Sequence, residues 1–330
     1  MRKVLGAAST LGKAIDAEMA QLTGPAAMKP LVPDDSKDWK ELPRGRWGEA
    51  TALGKLNVSL DPATGAIVGL SRGSGRQWAS ASQPLARFAY ATHDAAQAAQ
   101  FAERYFFRGP KACGWCGYAF GKDGLTPALA NASVSHGTVS RMWQRADGSA
   151  LAYELRMDGK LVKHYGAPAS AFVELSSKSS GLGITLRTMD KTATRLPESL
   201  WMEFRPSVPA ATGLRLCKMN STVDPGDVVA NGTSLHGTDD RRGVLFAGGG
   251  GESLRLVGLD TGQVAVSAAG KTLNLWDFAD ARAAVDARDG VAWNLFNNLW
   301  TTNYVYWYPW RNRTAAEDDG VMTFRWALAL

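Results

Sequence analysis

The segment formed by residues 293–310 constrains the fold of this chain more than any other. Eight of its 18 residues are aromatic and four more are asparagines. Asparagine is a poor strand former, and its amide costs free energy when it is buried without partners. A fold that keeps these amides among the rings must either satisfy them internally or present them to a flat, polar ligand.

A sugar is such a ligand, because it offers hydroxyls to amides and an apolar C–H face to aromatic rings. We therefore predict a carbohydrate-binding surface in which rings stack on the sugar and an amide binds its hydroxyls. The residues assigned to that surface are Trp300, Asn303, Trp307 and Tyr308. The alternative is an aromatic core strand with a structural amide network, since buried polar networks can also specify a fold.

Bulk composition excludes several classes of partner. The chain is 45% hydrophobic and 21% charged, which is ordinary for a soluble globular protein. Its net charge is +6, but the basic residues are scattered rather than gathered in one stripe, which argues against nucleic acid. No window approaches 18 consecutive apolar residues, so we expect no membrane span.

The cysteines do not favour a metal or redox centre. Cys113 and Cys116 have the C-x-x-C spacing of such sites, and Cys217 is the only other cysteine. A zinc site normally needs four ligands, and no second C-x-x-C occurs. We therefore expect no metal and no cofactor, with Cys113 and Cys116 either forming a local disulfide or remaining as free thiols.

Five N-x-S/T sequons favour the secretory pathway, although the N-terminus carries no clear signal peptide. The sequon asparagines are Asn57, Asn131, Asn220, Asn231 and Asn312.

Apolar spacing divides the chain into two parts. Residues 10–23 have helical periodicity and are followed by a proline-rich, charged stretch, so residues 1–46 are predicted to form a helix and an extended linker. Short alternating runs separated by turn residues begin near Trp47, and the sequence DPATGAI at 61–67 predicts a hairpin turn. Residues 95–106 are the second helical candidate. Residues 47–330 are thus predicted to be mainly β, as a large antiparallel sandwich of two sheets.

Candidate strands recur along the second part of the chain. They span residues 56–60, 67–70, 134–143, 151–157, 171–175, 183–188, 200–204, 243–247, 254–259, 264–268 and 321–330.

Two polar groups stand out among these strands. Glu203 and Arg205 share one face of the predicted strand beside Trp201, and they are interpreted either as a salt-bridged solvent face or as part of a sugar cleft. His236 follows an apolar run in a polar loop. An enzymatic alternative uses His236 or His136 with a glutamate such as Glu203 as an acid/base pair.

Glycosidase chemistry requires two carboxylates that flank the scissile bond. The candidates are Glu198, Glu203, Asp224 and Asp227, and no local pattern pairs any two of them. The sequence also lacks the common local signatures of phosphate-binding loops, zinc proteases and esterases.

Several segments resemble a family of uncharacterised large proteins that is similar to the family 38 glycoside hydrolases, the α-mannosidases. They are DPATGAI at 61–67, PLARFAY at 84–90, TRLPESLW at 194–201, VDPGDVVANG at 223–232 and WNLFNNLW at 293–300. The resemblance covers roughly residues 47–330. It implies a galactose-mutarotase-like β super-sandwich, equivalent to the C-terminal half of those enzymes.

The same resemblance limits what can be transferred to this chain. The nucleophile and zinc ligands of α-mannosidases belong to an N-terminal α/β barrel, so they match no position here. The resemblance therefore implies a non-catalytic carbohydrate-associated sandwich that binds or shapes a glycan site. From the residues themselves, we add Glu203 and His236 to the predicted carbohydrate-binding site. Its partners would be a carbohydrate and an N-terminal catalytic domain, of which residues 1–46 would be the tail. A purely structural module that packs on a partner domain is the remaining alternative.

Overall fold

Antiparallel strands dominate the structure, as the short alternating runs predict. The computed structural model describes residues 38–106, 109, 122, 124–189, 191–192, 194–230, 232–247, 252–267, 273–277, 284–299 and 322–330. Within these residues, the strands form one sheet of ten, one of six and one of three. The fold class predicted from sequence, mainly β with antiparallel sheets, is confirmed.

The ten-stranded sheet contains, in spatial order, β1 (Trp39–Glu41), β7 (Thr138–Arg145), β8 (Ala150–Arg156), β9 (Ser170–Lys178), β10 (Gly181–Met189), β19 (Met322–Ala329), β16 (Ser253–Gly258), β15 (Val244–Ala247), β12 (Gly213–Lys218) and β13 (Ser221–Val223). The six-stranded sheet contains β14 (Leu235–Gly237), β17 (Gln263–Val266), β18 (Val291–Asn297), β11 (Glu198–Phe204), β5 (Arg87–Thr92) and β6 (Ser133–Ser135). The three-stranded sheet contains β2 (Thr51–Leu53), β3 (Leu56–Leu60) and β4 (Ile67–Arg72).

The main core lies between the large sheets. Tyr90, Phe204 and Trp293 face it from the six-stranded sheet, and Trp326 faces it from β19. The ring centroids of Phe204 and Trp326 are 6.0 Å apart, which joins the two sheets through a direct aromatic contact. Strand alternation directs every second residue of the six-stranded sheet into this core, so the residues between them form an outer face.

Part of that outer face is covered by a second apolar cluster, which we call the outer cluster. Its buried members are Ala89, Ala91, Trp201, Ala265, Leu273, Leu275, Trp276, Ala292 and Leu299. Helix α1 (Ala95–Tyr105) packs on it through Ala98 and Phe101. The helix begins with a capping box, in which Asp94 accepts from the Gln97 N–H and the Gln97 side chain accepts from the Asp94 N–H.

The predicted hairpin turn is confirmed between β3 and β4. The Gly65 N–H donates to the Asp61 carbonyl over 2.8 Å, and Gly65 adopts a φ of 72°. A Cβ at this position would lie 2.3 Å from the Tyr153 ring, so glycine is required both by its backbone conformation and by the contact.

Two local features differ from the prediction. Helix α2 (Gly159–Tyr165) was not predicted: Asp158 caps it by accepting from the Lys160 N–H, and Gly166 ends it with a φ of 68°. The predicted strand over residues 134–143 is interrupted at positions 136 and 137, between β6 and β7. A third helix, α3 (Pro225–Val228), is a single turn.

The division at residue 46 stays a prediction, because residues 1–37, which include the predicted helix, lie outside the described residues. Strand β1 falls within the segment predicted as a linker, and it pairs with β7 in the register Lys40 to Gln144. In the portion of the chain that the structure describes, no helix combines the length and the apolar character that a membrane span requires.

Candidate functional site

A buried carboxylate and a guanidinium meet on the outer face of the six-stranded sheet. Glu203 of β11 is paired in register with Arg87 of β5, which places the two side chains side by side. Arg87 Nε donates to Glu203 Oε2 over 2.7 Å, and its Nη2 donates to Oε1 over 3.2 Å. This bidentate geometry is the strongest form of an Arg–carboxylate ion pair.

His136 completes this group, which we call the Glu203 site (Arg87, His136 and Glu203). It lies between β6 and β7, and its Nδ1 is 3.9 Å from Glu203 Oε2. The same Nδ1 is 2.9 Å from the Phe88 carbonyl oxygen. Because a carbonyl can only accept, Nδ1 carries the hydrogen, and a neutral imidazole then keeps its lone pair on Nε2.

Solvent reaches the Glu203 site through its partners. The Glu203 side chain is only 5% exposed, whereas those of Arg87 and His136 are 25% and 26% exposed. The carboxylate is therefore largely dehydrated but lies directly below two polar groups that a ligand could contact. Electrostatic and hydrogen-bonding contacts are stronger in such a partly dehydrated position than in bulk water.

Backbone strain adjoins the Glu203 site at Ala86. This residue precedes Arg87 and has a φ of 51°. Positive φ is unfavourable for any residue with a Cβ, and Ala86 is buried. Strained backbone of this kind often occurs at functional sites.

The predicted pairing of Glu203 with Arg205 is wrong. Glu203 binds Arg87 instead, because the in-register neighbour on β5 lies closer than the residue two positions along the same strand. The predicted solvent face is also wrong, since Glu203 is buried. Trp201 is fully buried in the outer cluster and its Nε1 donates to Ser199 Oγ over 2.8 Å, so its ring does not face a ligand.

His236 lies apart from the Glu203 site. Leu235 packs on the outer cluster, so alternation along β14 directs His236 to the opposite side of the sheet. Its Nε2 donates to the Gly232 carbonyl over 3.1 Å, and burial lowers the pKa of its imidazole. The structure thus brings His136 to Glu203 and leaves His236 on the other face.

The described part of the aromatic segment is structural. Trp293 is buried and packs edge-to-face on Phe204, with ring centroids 5.3 Å apart. Asn294 Nδ2 donates to the Leu200 and Phe296 carbonyls, and Asn297 Nδ2 donates to Asn294 Oδ1 over 3.0 Å. These amides therefore have internal partners, as the structural alternative predicts.

Asn298 follows the same pattern. Its Nδ2 donates to the carbonyls of Thr194 and Leu196, and its Oδ1 accepts from Lys122 Nζ over 2.9 Å. The other predicted residues, Trp300, Asn303, Trp307 and Tyr308, lie outside the described residues, as do Cys113 and Cys116. Cys217 is buried as a free thiol.

Comparison with known proteins gives one family. The family described as "Domain of unknown function (DUF5054)" matches residues 5–182, more than half of the chain. The chain belongs to the DUF5054 family. A comparison with curated proteins gives no match.

Three solved structures illustrate what this DUF5054 protein is similar to. A galactose mutarotase-like protein from Lactobacillus casei is 9% identical, with a TM-score of 0.45 over 85% of this chain and 99% of its own. An aldose epimerase homologue from C. elegans is 11% identical, with a TM-score of 0.41 over 85% and 98%. A galactose mutarotase-like protein from Clostridium acetobutylicum is 11% identical, with a TM-score of 0.39 over 89% and 98%.

The DUF5054 chain holds a second polar group on the inner face of the same sheet. Glu198 is fully buried, and its Oε1 accepts from Lys191 Nζ over 2.6 Å. Its Oε2 accepts from the Tyr90 hydroxyl. Burial raises the pKa of Glu198, and the bonds from Lys191 and Tyr90 oppose that rise. Burial and the Glu198 charge raise the pKa of Tyr90.

Sequence reasoning missed Arg87. The sequence does contain one indication, which is that Arg87 begins the largely buried strand Arg87–Thr92. A charged residue at such a position needs a partner for its charge. That partner is 116 positions away in sequence, so no local pattern could reveal it. In the described part of the DUF5054 chain, no three His, Cys, Asp or Glu residues are grouped closely enough to hold a metal ion.

Proposed function

We propose that this chain is a carbohydrate-associated β-sandwich protein that binds a sugar at the Glu203 site. The observation that carries the proposal is a dehydrated carboxylate, Glu203, held between two side chains that are each about one quarter exposed. Sugar hydroxyls can donate to Glu203 and accept from Arg87. Because the two charges balance, the site suits a ligand rich in hydroxyls without demanding a charge.

The resemblance to the sandwich of family 38 glycoside hydrolases supports the same class of ligand. An N-terminal catalytic domain as partner stays a prediction of that resemblance. Stacking of the sugar on Trp300, Trp307 and Tyr308, with Asn303 bound to its hydroxyls, also stays a prediction. His236 is not part of the proposed site, because it lies on the opposite side of the sheet.

Isothermal titration calorimetry with mannose, galactose, glucose and their short oligosaccharides tests the proposal. We expect Glu203→Gln to weaken binding by about tenfold or more, because a charge-assisted hydrogen bond becomes a neutral one. Glu154→Gln is the matched control. Glu154 is also a buried carboxylate paired with an arginine, Arg156, but it lies in the ten-stranded sheet.

The control should bind within about threefold of the native protein. If both folded variants lose sugar binding, or if both keep it, the sugar does not bind specifically at Glu203 and the proposed site is wrong. Thermal unfolding of each variant shows whether the fold is kept.

A second candidate function is acid/base catalysis of anomer interconversion, and the orientation of His136 favours it. With Nδ1 donating to Phe88, Nε2 can accept the proton of the anomeric hydroxyl as the ring C1–O5 bond opens, while a solvent water molecule gives a proton to the ring oxygen. Reversal of these steps closes the ring on either face of C1.

Polarimetry of freshly dissolved α-galactose and α-glucose measures this activity. We expect the native protein to accelerate mutarotation and His136→Gln to lose at least about 100-fold of that acceleration, the usual size of an acid/base contribution. Sugar binding should stay within about threefold, which separates catalysis from binding. Absence of acceleration by a native protein that binds sugar excludes the catalytic candidate and leaves the binding proposal intact.

A further inference from the structure

Within the described residues, the two large sheets end in four edge strands, and three of these strands carry no formal charge. They are β6, β13 and β14, which contain no Lys, Arg, Asp or Glu, whereas β1 contains Lys40 and Glu41. An edge strand exposes unpaired N–H and C=O groups that can pair with another chain, and charged side chains are a common way to prevent this. Three edges of this protein therefore lack the usual protection.

Each of the three uncharged edges follows an N-x-S/T sequon. Strand β13 begins one position after Asn220, β6 begins two positions after Asn131, and β14 begins four positions after Asn231. Asn231 and Asn312 themselves lie outside the described residues. The remaining sequon, at Asn57, lies on β3, which pairs with β2 on one side and β4 on the other. Sequons thus accompany the edges that lack a charge.

The sequon at Asn220 lies at the tip of the hairpin between β12 and β13. Lys218 and Ser221 are paired in register, so Met219 and Asn220 form a two-residue turn, with φ values of 45° and 67°. Asparagine tolerates such a turn better than most residues with a Cβ. Asn220 is exposed, its amide bonds to no described residue, and Met219 beside it is 96% exposed. A large group attached to Asn220 would therefore extend into solvent.

Asn131 has a similar position beside β6. Its backbone is fixed, since its N–H donates to the Tyr165 hydroxyl over 2.7 Å and its carbonyl accepts from Thr92 Oγ1 over 2.6 Å. Its side chain is exposed, and among the described residues it has no hydrogen-bond partner. Val134 of β6 is 40% exposed, so the edge beside Asn131 is apolar as well as uncharged. A bulky polar group on Asn131 would lie next to this edge.

We propose that Asn131 and Asn220 carry N-linked glycans that block pairing at the edges formed by β6 and β13. In this modification the asparagine amide nitrogen forms a bond to the anomeric carbon of an oligosaccharide and loses one proton. The bond from that carbon to the diphosphate of a lipid carrier breaks, and the lipid diphosphate leaves. The donor is thus a lipid diphosphate oligosaccharide of the secretory pathway, and the sequon supplies the acceptor. An attached glycan is bulky and hydrated, so a second chain cannot approach the strand beside it.

Secretion of the full chain from cultured eukaryotic cells, behind a cleavable signal sequence, tests the two positions. Peptide N-glycosidase converts each glycosylated asparagine to aspartate, and mass spectrometry of the peptides then identifies the occupied positions. We expect both Asn131 and Asn220 to be occupied. An unmodified asparagine at either position in the secreted protein overturns the proposal for that edge.

Analytical ultracentrifugation tests the role of the glycans. We expect Asn131→Gln and Asn220→Gln to raise the weight-average mass about twofold or more above that of the native glycoprotein, because edge pairing joins at least two chains. Enzymatic trimming of the folded native glycoprotein should have the same effect, and it changes no amino acid. Asn57→Gln is the matched control, because it removes a sequon from a strand that is paired on both sides, and it should leave the mass unchanged.

Two substitutions at Thr222 separate the effect of the glycan from that of the strand sequence. Thr222 is exposed on β13 and completes the sequon of Asn220, so Thr222→Ala and Thr222→Lys both remove the glycan. Thr222→Ala should associate as Asn220→Gln does. Thr222→Lys should keep the native mass, because the lysine supplies the charge that this edge lacks.

Thermal unfolding shows that each variant keeps its fold. If Asn220→Gln and Thr222→Ala keep the native mass, or if Thr222→Lys associates as strongly as Thr222→Ala, the glycan does not protect the edge and the proposal is wrong. None of these outcomes depends on sugar binding at the Glu203 site.

Discussion

Glu198 and Glu203 lie on the same strand, but their cationic partners differ in exposure to solvent. Glu198 begins β11 and faces the main core, whereas Glu203 lies near its end and faces outward. Both carboxylates are buried and both have a cationic partner. The difference lies in the partners: Lys191 is 8% exposed, but Arg87 is 25% exposed.

This contrast shows that burial of a carboxylate does not by itself identify a site. Glu198, Lys191 and Tyr90 bind one another inside the protein, and the fully buried carboxylate has no surface that a ligand could reach. Glu203 has partners that reach the surface, and a histidine beside it with a free nitrogen. Access through the partners, rather than burial of the acid, distinguishes the candidate site from the structural pair.

The largest expected effect comes from breaking the inner pair. Glu198→Gln leaves the Lys191 ammonium buried without a counter-charge, which should lower the free energy of unfolding by about 3–5 kcal/mol. Urea denaturation at pH 7 measures this change. The double variant Lys191→Met with Glu198→Gln should recover much of the loss, because it removes the isolated charge.

An outcome in which Glu198→Gln is nearly neutral would mean that the carboxyl is already protonated in the native protein. That result would contradict the ion pair on which the comparison depends. Sugar binding by the single variant should match that of the native protein, provided that it is measured below the temperature of unfolding.

The second prediction concerns His93, which is fully buried beside Trp276 of the outer cluster. Burial lowers the pKa of His93 from 6.5 to about 4, and its Nε2 lies 2.9 Å from Ser199 Oγ. Between these pH values the unfolded chain binds a proton that the folded chain does not, so stability falls as pH decreases from 6.5 to 4. The shift corresponds to about 3 kcal/mol.

Chemical denaturation of the native protein and His93→Gln across pH 4–7 checks this contribution. The difference in unfolding free energy between the two proteins should be largest near neutral pH and should shrink by about 3 kcal/mol at pH 4. If the free energies of unfolding of the two proteins change with pH in parallel, the His93 imidazole takes up protons as readily in the folded protein as in the unfolded one. That result would contradict the contrast between a buried His93 and an accessible Glu203 site.

The smallest expected effect on stability comes from the outer pair. Glu203→Gln should cost about 1–2 kcal/mol, because Arg87 is partly exposed and water can solvate the guanidinium that loses its partner. Urea denaturation beside Glu198→Gln gives a direct ranking of the two sites. If the cost at Glu203 equals or exceeds that at Glu198, the outer pair is the more structural of the two, and the distinction between them is reversed.

Local signals in the sequence predicted the secondary structure wherever the cause was local. The hairpin at Asp61 and Gly65 depends on turn chemistry within five residues, and the helix that begins after Asp94 depends on its own apolar face and cap. Strand β5 was missed because it is buried on both faces, so it lacks the alternation of a half-exposed strand. Helix α2 was missed because Asp158 and Gly159 serve equally well in a turn and at a helix start.

The candidate site was only partly predictable. The sequence indicated that Glu203 and a histidine could act together, but it gave no means of choosing His136 over His236, because that choice depends on strand order and on which face each residue occupies. In the aromatic segment, the sequence suggested a ligand-binding role that the described residues do not show. Its asparagines 294, 297 and 298 appeared suited to a ligand, yet backbone carbonyls and neighbouring side chains satisfy their amides.

A crystal structure of the protein with a bound sugar tests the central claim most directly. The account predicts a sugar hydroxyl within hydrogen-bonding distance of a Glu203 carboxylate oxygen, with further contacts to Arg87 or to His136 Nε2. A sugar bound elsewhere on the surface, with the Arg87–Glu203 pair untouched and unchanged, would contradict the account.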